Sequence, residues 1–455
     1  MKAEKLIFLF IAAILILNLS TVVFSAVTPE EAAKLGTSFT RFGSEMAGNK
    51  EGTIPAYTGG LTKPPADYVP GSGVRPDPFA GEKPLFSVNA QNMNQYADKL
   101  TEGTKALMKK FPTFHIDVYK THRTTAYPEF VLKNTLTNAL NATTANDGLS
   151  LRNAHAGIPF PIPMDGYEVM WNHLLRYSGR AWDAKNQSYL VDITGRAILV
   201  SGGVMWSDFP YYDEGKKSKS ANIYWMFRWY YFSPARKAGE VGQLIDYVNM
   251  YEKGRTAYLY LPGQRRLKLA PEAAFDTPSP ETSAVDTYDE SWMFNGSMER
   301  YNFKLICKKE MYIPYNTYKA NFEVKKEELF GPKHLNPDAV RWELHRVWVV
   351  EGTLKPGKRH IYPKRRFYVD EDSWSALACE NYDAHGNLFK VGLNYHTQSY
   401  DMLAPNAAVF YTSYNLISNI YIGTTWPGED GYIRAVKVRP ERDWAPQTMT
   451  AAGIR

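Results

Sequence analysis

The sequence predicts an α+β fold: one large, curved antiparallel β-sheet or incomplete β-barrel, with helices covering its concave face. Three observations lead there. Helical spacing and capping signals fall before residue 180, and period-two alternation dominates after it. Connections between the later strands are short, as in KPGK, DED and DAHGN, which makes successive strands antiparallel neighbours. Helices come first and a meander follows, an order that argues against a parallel βαβ fold.

The chain divides into three parts. Residues 1–26 read as a secretory signal peptide. MKAEK is a short positive region, residues 6–17 are uninterrupted apolar sequence, and NLSTVVFSA offers small residues for cleavage after Ser25 or Ala26. An uncleaved anchor is the rival reading, because about 20 apolar residues suffice to span a membrane. Residues 27–180 read as helices and a Pro/Gly-rich loop packed on a sheet. Thr28 and Glu31 form a capping box with Pro29 at the first helical position. Residues 51–90 are rich in Pro and Gly and predict an extended surface loop. Helical spacing returns over 91–111, 128–145 and 166–177, the last closed by Gly179.

Residues 181–455 predict the antiparallel half-barrel. SYLVDI and RAILVSGGVMW flank a turn at Thr194-Gly195. NIYWMFRWYYF, residues 222–232, is a long strand with Ile223, Trp225, Phe227, Trp229 and Tyr231 on one face. The other face carries Tyr224, Met226, Arg228, Tyr230 and Phe232, so the strand needs cover on both sides. Pro262-Gly263-Gln264 marks a hairpin, and a short helix is expected around residues 289–294.

Composition excludes some functions. Charged residues make up 22% of the 455, the formal net charge is only +6, and no basic run is dense enough for nucleic acid. Aromatics reach 14%, with 31 Tyr, a large supply of rings for a core or an apolar cavity. The two cysteines, Cys307 and Cys379, are too few for a Cys-based metal site. An oxidising compartment permits them to pair, and apolar strands equally suit free thiols.

RRFYVDEDSW, residues 365–374, is the most site-like stretch. Its three acids, Asp370, Glu371 and Asp372, read best as a hairpin corner with Arg365 and Arg366 as surface partners. A metal or proton-transfer cluster is the sharper alternative. The histidines are scattered without ligand spacing, and no nucleophile elbow or phosphate-binding loop occurs, so neither catalytic nor metal-ligating residues are assigned. KKEMYIPYNTYK, residues 308–319, reads as an edge strand ending at Pro314. The alternative is a cavity rim presenting rings and cations to an anionic headgroup.

Four long stretches carry a resemblance. They are RWELHRVWVVEGTLKPGKRHIYPKRRFYVDEDSW (341–374), KKEMYIPYN (308–316), YLPGQRRLKLAPEAAFDTP (260–278) and GIPFPIPMDGYEVMWNHLLRY (157–177). They resemble a family of bacterial periplasmic proteins of unknown function. That family is similar to the LolA/LolB outer-membrane lipoprotein-sorting proteins. The resemblance implies a LolA/LolB-like incomplete barrel with an apolar cavity and no cofactor. It also implies partnership with an RND/MMPL-type inner-membrane transporter and an outer-membrane protein. It carries over no catalytic residues. This chain is much longer than the sorting proteins, through its N-terminal helices and Pro-rich loop.

The expectation is a periplasmic, non-enzymatic carrier of a lipid, lipoprotein or other hydrophobic ligand. Trp225, Phe227, Trp229 and Tyr231 are expected to line its cavity, with Lys309, Tyr312 and Tyr315 near the rim. A structural adaptor subunit of an RND-type export complex and a secreted enzyme acting on polysaccharide or lipid are the rival readings.

Overall fold

Sixteen strands join into one sheet whose two ends do not pair with each other. The computed structural model describes residues 27–216, 222–405 and 410–452. The expected signal peptide lies outside these residues.

The N-terminal part contains α1 (Pro29–Ala32), β1 (Phe86–Val88), α2 (Glu102–Lys110), β2 (Ile116–Val118) and α3 (Glu129–Asn141). A separate hairpin, β3 (Thr143–Ala145) and β4 (Ser150–Arg152), and then α4 (Gly166–Leu174) complete it. The Thr28–Glu31 capping box forms, with reciprocal bonds of 3.2 and 3.1 Å, but it closes a single turn. Asp165 Oδ1 accepts the Glu168 N–H at 2.9 Å and starts α4. α4 stops at Leu174, short of the expected residue 177. The Tyr212 hydroxyl donates to the Leu175 carbonyl at 2.5 Å, in place of a helical partner.

The long strands follow as β5 (Ala181–Val191), β6 (Ala197–Asp208), β7 (Ile223–Ser233), β8 (Val241–Tyr247), β9 (Arg255–Leu261) and β10 (Arg266–Leu269). After a strand-free stretch come β11 (Tyr301–Pro314), β12 (Arg341–Leu354), β13 (Lys364–Asp370), β14 (Ala376–Tyr382) and β15 (Leu388–Asn394). A small pair, β16 (Gln398–Ser399) and β17 (Ala404–Pro405), stands apart from the main sheet. β18 (Tyr411–Asn415), β19 (Tyr421–Trp426) and β20 (Tyr432–Ala435) end the sheet.

The lateral order places sequence-adjacent strands far apart at one point. From β12 the sheet runs through β13, β14, β15, β18, β19, β5, β6, β7, β8 and β9 to β10. β11 pairs with β12 over almost its whole length, and among the described residues no strand pairs on its other side. β10 and β11 therefore sit at opposite edges although they are consecutive. Residues 270–300 connect them and cross a face of the sheet as a strap. Pairing is antiparallel throughout, save that β2 lies parallel to the start of β12. β1 and β2 thus belong to the sheet, so residues 27–180 supply strands as well as helices and loop.

Both faces are covered, as the two-sided apolar pattern of β7 requires. α4 and the strap lie in one apolar layer with Trp171, Trp182, Trp225, Phe227, Trp292 and Phe367. α2 lies in the other, where Leu107 and Met108 share an apolar layer with Trp342, Leu344, Tyr395 and Tyr414. Gly166 at the start of α4 lets the helix touch β11. A Cβ there would come within 2.6 Å of the Phe303 carbonyl carbon.

Candidate functional site

The alternating rings of β7 form a continuous row on the strap side. Trp225 and Phe227 stack at 5.0 Å between centroids, Phe227 and Trp229 follow at 5.8 Å, and Trp229 and Tyr231 at 6.4 Å. The neighbouring strand makes room for the largest ring. Gly242 of β8 pairs with Trp229, and a Cβ at Gly242 would come within 1.9 Å of the indole. The Trp225 indole N–H donates to Ser207 Oγ at 2.7 Å, so its polar edge is satisfied within the sheet. Trp292, from the strap, stands edge-on over Trp225 and Phe227 at 5.4 and 5.5 Å.

Three adjoining clefts run between this row and the strap. In this closed arrangement they are narrow, with about 30, 20 and 80 Å³ of room inside. Trp225, Trp182, Arg176, Trp292 and Phe294 line the first. Phe227, Trp229, Tyr288 and Glu281 line the second. Trp229, Tyr231, Leu259 and Glu281 line the third. Trp292 stands between the first two and Tyr288 between the last two, so a ligand longer than one cleft must displace strap residues.

Polar pins hold the strap down. Asp289 accepts from Arg365 at 2.8 Å, His360 at 2.9 Å and Thr287 at 2.6 Å. Burial alone would raise the Asp289 pKa, but the Arg365 guanidinium and His360 hold it well below the usual carboxylate range. Lys390 reaches Glu290 at 3.1 Å. His173 of α4 accepts the Ala376 N–H through Nδ1 at 3.0 Å. Its Nε2–H therefore donates to the Phe294 carbonyl, also at 3.0 Å. Burial drives this imidazole down to about 3, so it stays neutral.

The structure places the expected lining residues and the expected rim residues in different layers. Trp225, Phe227, Trp229 and Tyr231 all border clefts. Tyr312 and Tyr315 belong to the opposite apolar layer. Tyr312 packs on Phe86 and Tyr96, each at 6.2 Å. Tyr315 is fully buried between the rings of His345 and His396, at 3.7 and 4.0 Å, and is no rim residue. Lys309 is exposed on β11, which is an edge strand ending at Pro314. Cys307 and Cys379 are free, and the Cys379 thiol lies 3.3 Å from Asn381 Oδ1.

The acidic corner also corrects the sequence reading. Residues 371–373 do form the turn between β13 and β14, but the acids are buried and Arg365 and Arg366 are not their partners. Arg365 pairs with Asp289 and Arg366 with Glu351. Asp372 is gripped by Arg123, whose Nη2 and Nε lie 2.6 and 2.9 Å from its two oxygens. Burial would raise the Asp372 pKa, but Arg123 brings it down to about 2. Glu371 pairs with Lys308 and with Arg346. Asp370 Oδ2 accepts from the Ser373 N–H at 2.8 Å, while burial and neighbouring Asp372 push its carboxyl up to about 6. The corner locks residues 44–47 and 123 to the sheet, because Arg123 also donates to the Glu45 carbonyl at 2.7 Å and Arg346 to that of Ala47 at 3.1 Å.

One titratable group escaped the sequence spacing. His115 Nε2 lies 3.8 Å from Asp117 and 3.4 Å from Asp338, a partly exposed trio assembled from distant segments. Among the described residues, no helix is long and apolar enough to cross a membrane.

Sheet, strap and ring row together define the class: an open antiparallel β-sheet protein with a covered aromatic face. The chain belongs to the family described as "Protein of unknown function (DUF1329)", which matches residues 87–450. It is 39% identical over 458 residues to an uncharacterised protein of Pseudomonas aeruginosa, covering 100% of both chains. Among solved structures it is similar to a domain named for outer membrane lipoprotein sorting from Vibrio parahaemolyticus. There the identity is 14%, the TM-score 0.42, and the match covers 63% of this chain and 98% of that one. A DUF1329 family protein from Desulfovibrio piger matches at 13% identity and TM-score 0.38, over 60% of this chain and 92% of that one. A LolA superfamily protein of Nitrosomonas europaea matches at 10% and 0.35, over 62% and 98%.

Proposed function

We propose that this protein is a non-enzymatic carrier of a lipid or other hydrophobic ligand in the periplasm, working between the inner and outer membranes. One observation carries the reading: four rings in register on β7 border three clefts beneath a strap held by a few polar pins. Apolar clefts with few polar groups suit small hydrophobic ligands. Burying an acyl chain is worth about 0.8 kcal/mol per CH₂, so non-covalent carriage is energetically sufficient. The strap is the part that would lift to admit cargo. An RND/MMPL-type transporter and an outer-membrane protein are the proposed partners, on the family resemblance.

The test is native purification from periplasm followed by mass spectrometry of an organic extract. A stoichiometric lipid or hydrophobic metabolite is expected. Trp225→Arg and Trp229→Glu should each abolish its retention in protein that remains folded by circular dichroism. Extracts that stay blank after incubation with total membrane lipid would overturn the reading, as would variants that retain cargo fully.

A further inference from the structure

The first cleft contains a cation that has no counter-ion among the described residues. Arg176 follows the last turn of α4 and lines that cleft. Its Nη1 donates to the His173 carbonyl at 2.6 Å. Its Nε is buried and meets no acceptor, and its Nη2 makes no hydrogen bond among the described residues. Among the described residues no carboxylate pairs with it. Asp246 lies beyond Tyr224, whose hydroxyl it accepts at 3.2 Å, but both its oxygens are held by Arg255 at 2.6 and 2.7 Å. Burial lowers the Arg176 pKa to about 10, which leaves the guanidinium charged at neutral pH. The helix C-terminus beside it supplies only partial negative charge. Arg255 and Arg365 in this layer each have a carboxylate partner, while Arg228, on the other face of β7, is satisfied by neutral Gln243, Tyr230 and Thr448; half-buried Arg176 has neither. Charges removed from water are tolerated when they are paired.

The free edge of the guanidinium, Nε with Nη2, has the spacing of a carboxylate's two oxygens. Around it stand the apolar walls of Trp182, Phe209, Trp225, Trp292 and Phe294, with Ser178 and Asn295 as the polar exceptions. We propose that the first cleft binds a carboxylate-headed amphiphile, a fatty-acid-like monoanion. Its headgroup pairs with Arg176 and its tail lies against Trp225 and Trp292. This rests on the carrier reading and names the cargo chemistry of the same row of clefts.

The experiment compares palmitate, hexadecanol and acetate on the full mature protein, read by quenching of intrinsic tryptophan fluorescence. Three indoles, Trp182, Trp225 and Trp292, line the cleft and report occupancy. Palmitate should bind about tenfold more tightly than hexadecanol, the gain expected from a charge-assisted pair. Acetate should be too weak to compete, because the tail is half of the recognition. Arg176→Gln should bring palmitate down to the hexadecanol level without weakening hexadecanol. Arg176→Lys should restore part of the preference. Equal binding of palmitate and hexadecanol by the unsubstituted protein would overturn the inference while leaving the carrier reading standing. Binding of neither would overturn the carrier reading itself. Acetate competing as well as palmitate would also overturn the proposal, because it would show an anion site without a tail. Should Arg176→Gln fail to fold, the palmitate-to-hexadecanol ratio of the unsubstituted protein decides the matter.

Discussion

Asp372 and Arg366 sit six residues apart in one short stretch, yet their energetic roles differ. Asp372 is 1% exposed and closes a two-pronged pair with Arg123. Arg366 is partly exposed and meets Glu351 at 2.8 Å through one nitrogen. Asp372→Asn removes the carboxylate that grips the buried Arg123 guanidinium and leaves it only Glu371, 3.6 Å away. It should destabilise the protein by about 3–5 kcal/mol in urea unfolding. Arg366→Gln should cost about 1 kcal/mol or less, as exposed pairs do. Equal losses would contradict the burial described for the corner. The turn at this place was legible, since acids between two strands are good corner formers. The burial was not, because Arg123 stands 249 residues from Asp372 in sequence and its approach leaves no local signature. Tyr315 failed for the same reason. The rings and cations around it suggested a cavity rim, while His345 of β12 and His396, just after β15, which enclose it, come from distant parts of the chain.

The strap is the element in which prediction and structure diverge most. β7 was legible in detail, because rings alternating at period two state which face is buried. Residues 270–300 have no such period, and nothing local says that they cross the sheet. The strap's share of each cleft wall was therefore invisible in the sequence, including Trp292, Tyr288 and Glu281. Glu281 makes the strap sensitive to pH. One of its carboxyl oxygens is buried without a partner, and burial raises the group from its ordinary 4.5 to about 7. The folded state keeps this proton over a range in which the unfolded chain has released it. The group's contribution to stability is thus complete below pH 4.5 and is lost as pH rises to about 7. Glu281→Gln removes that loss. Its melting temperature relative to the unsubstituted protein should climb between pH 4.5 and 7 and level off above. A difference that does not vary with pH would contradict the buried position of this carboxyl. Taking the difference between the two proteins cancels opposing groups such as His173 and His396, which burial lowers to about 3.

At the scale of the whole molecule, the chain starts the main run of the sheet in its middle. It lays down β5, builds outward to β10, crosses by the strap to the far edge at β11, and works back until β19 and β20 pair with β5. The hairpin neighbours were legible from short connections. The seam was not, since Tyr421 pairs with Val191 across about half of the chain. A chain ending at residue 405 should keep β5–β10 but leave one side of β5 bare, and exposed strand edges associate. Size-exclusion chromatography of that truncation should show oligomers where the full chain is monodisperse at the same concentration. A monodisperse truncation would mean that the seam is dispensable. The seam also sets an order in time. During folding, one side of β5 has no partner until nearly the last strands arrive, and the two halves of the sheet can form early only as separate pieces. Long-range closure of this kind slows folding and lengthens exposure of unpaired strands. The step that joins β19 to β5 is therefore the one a chaperone would have most reason to guard.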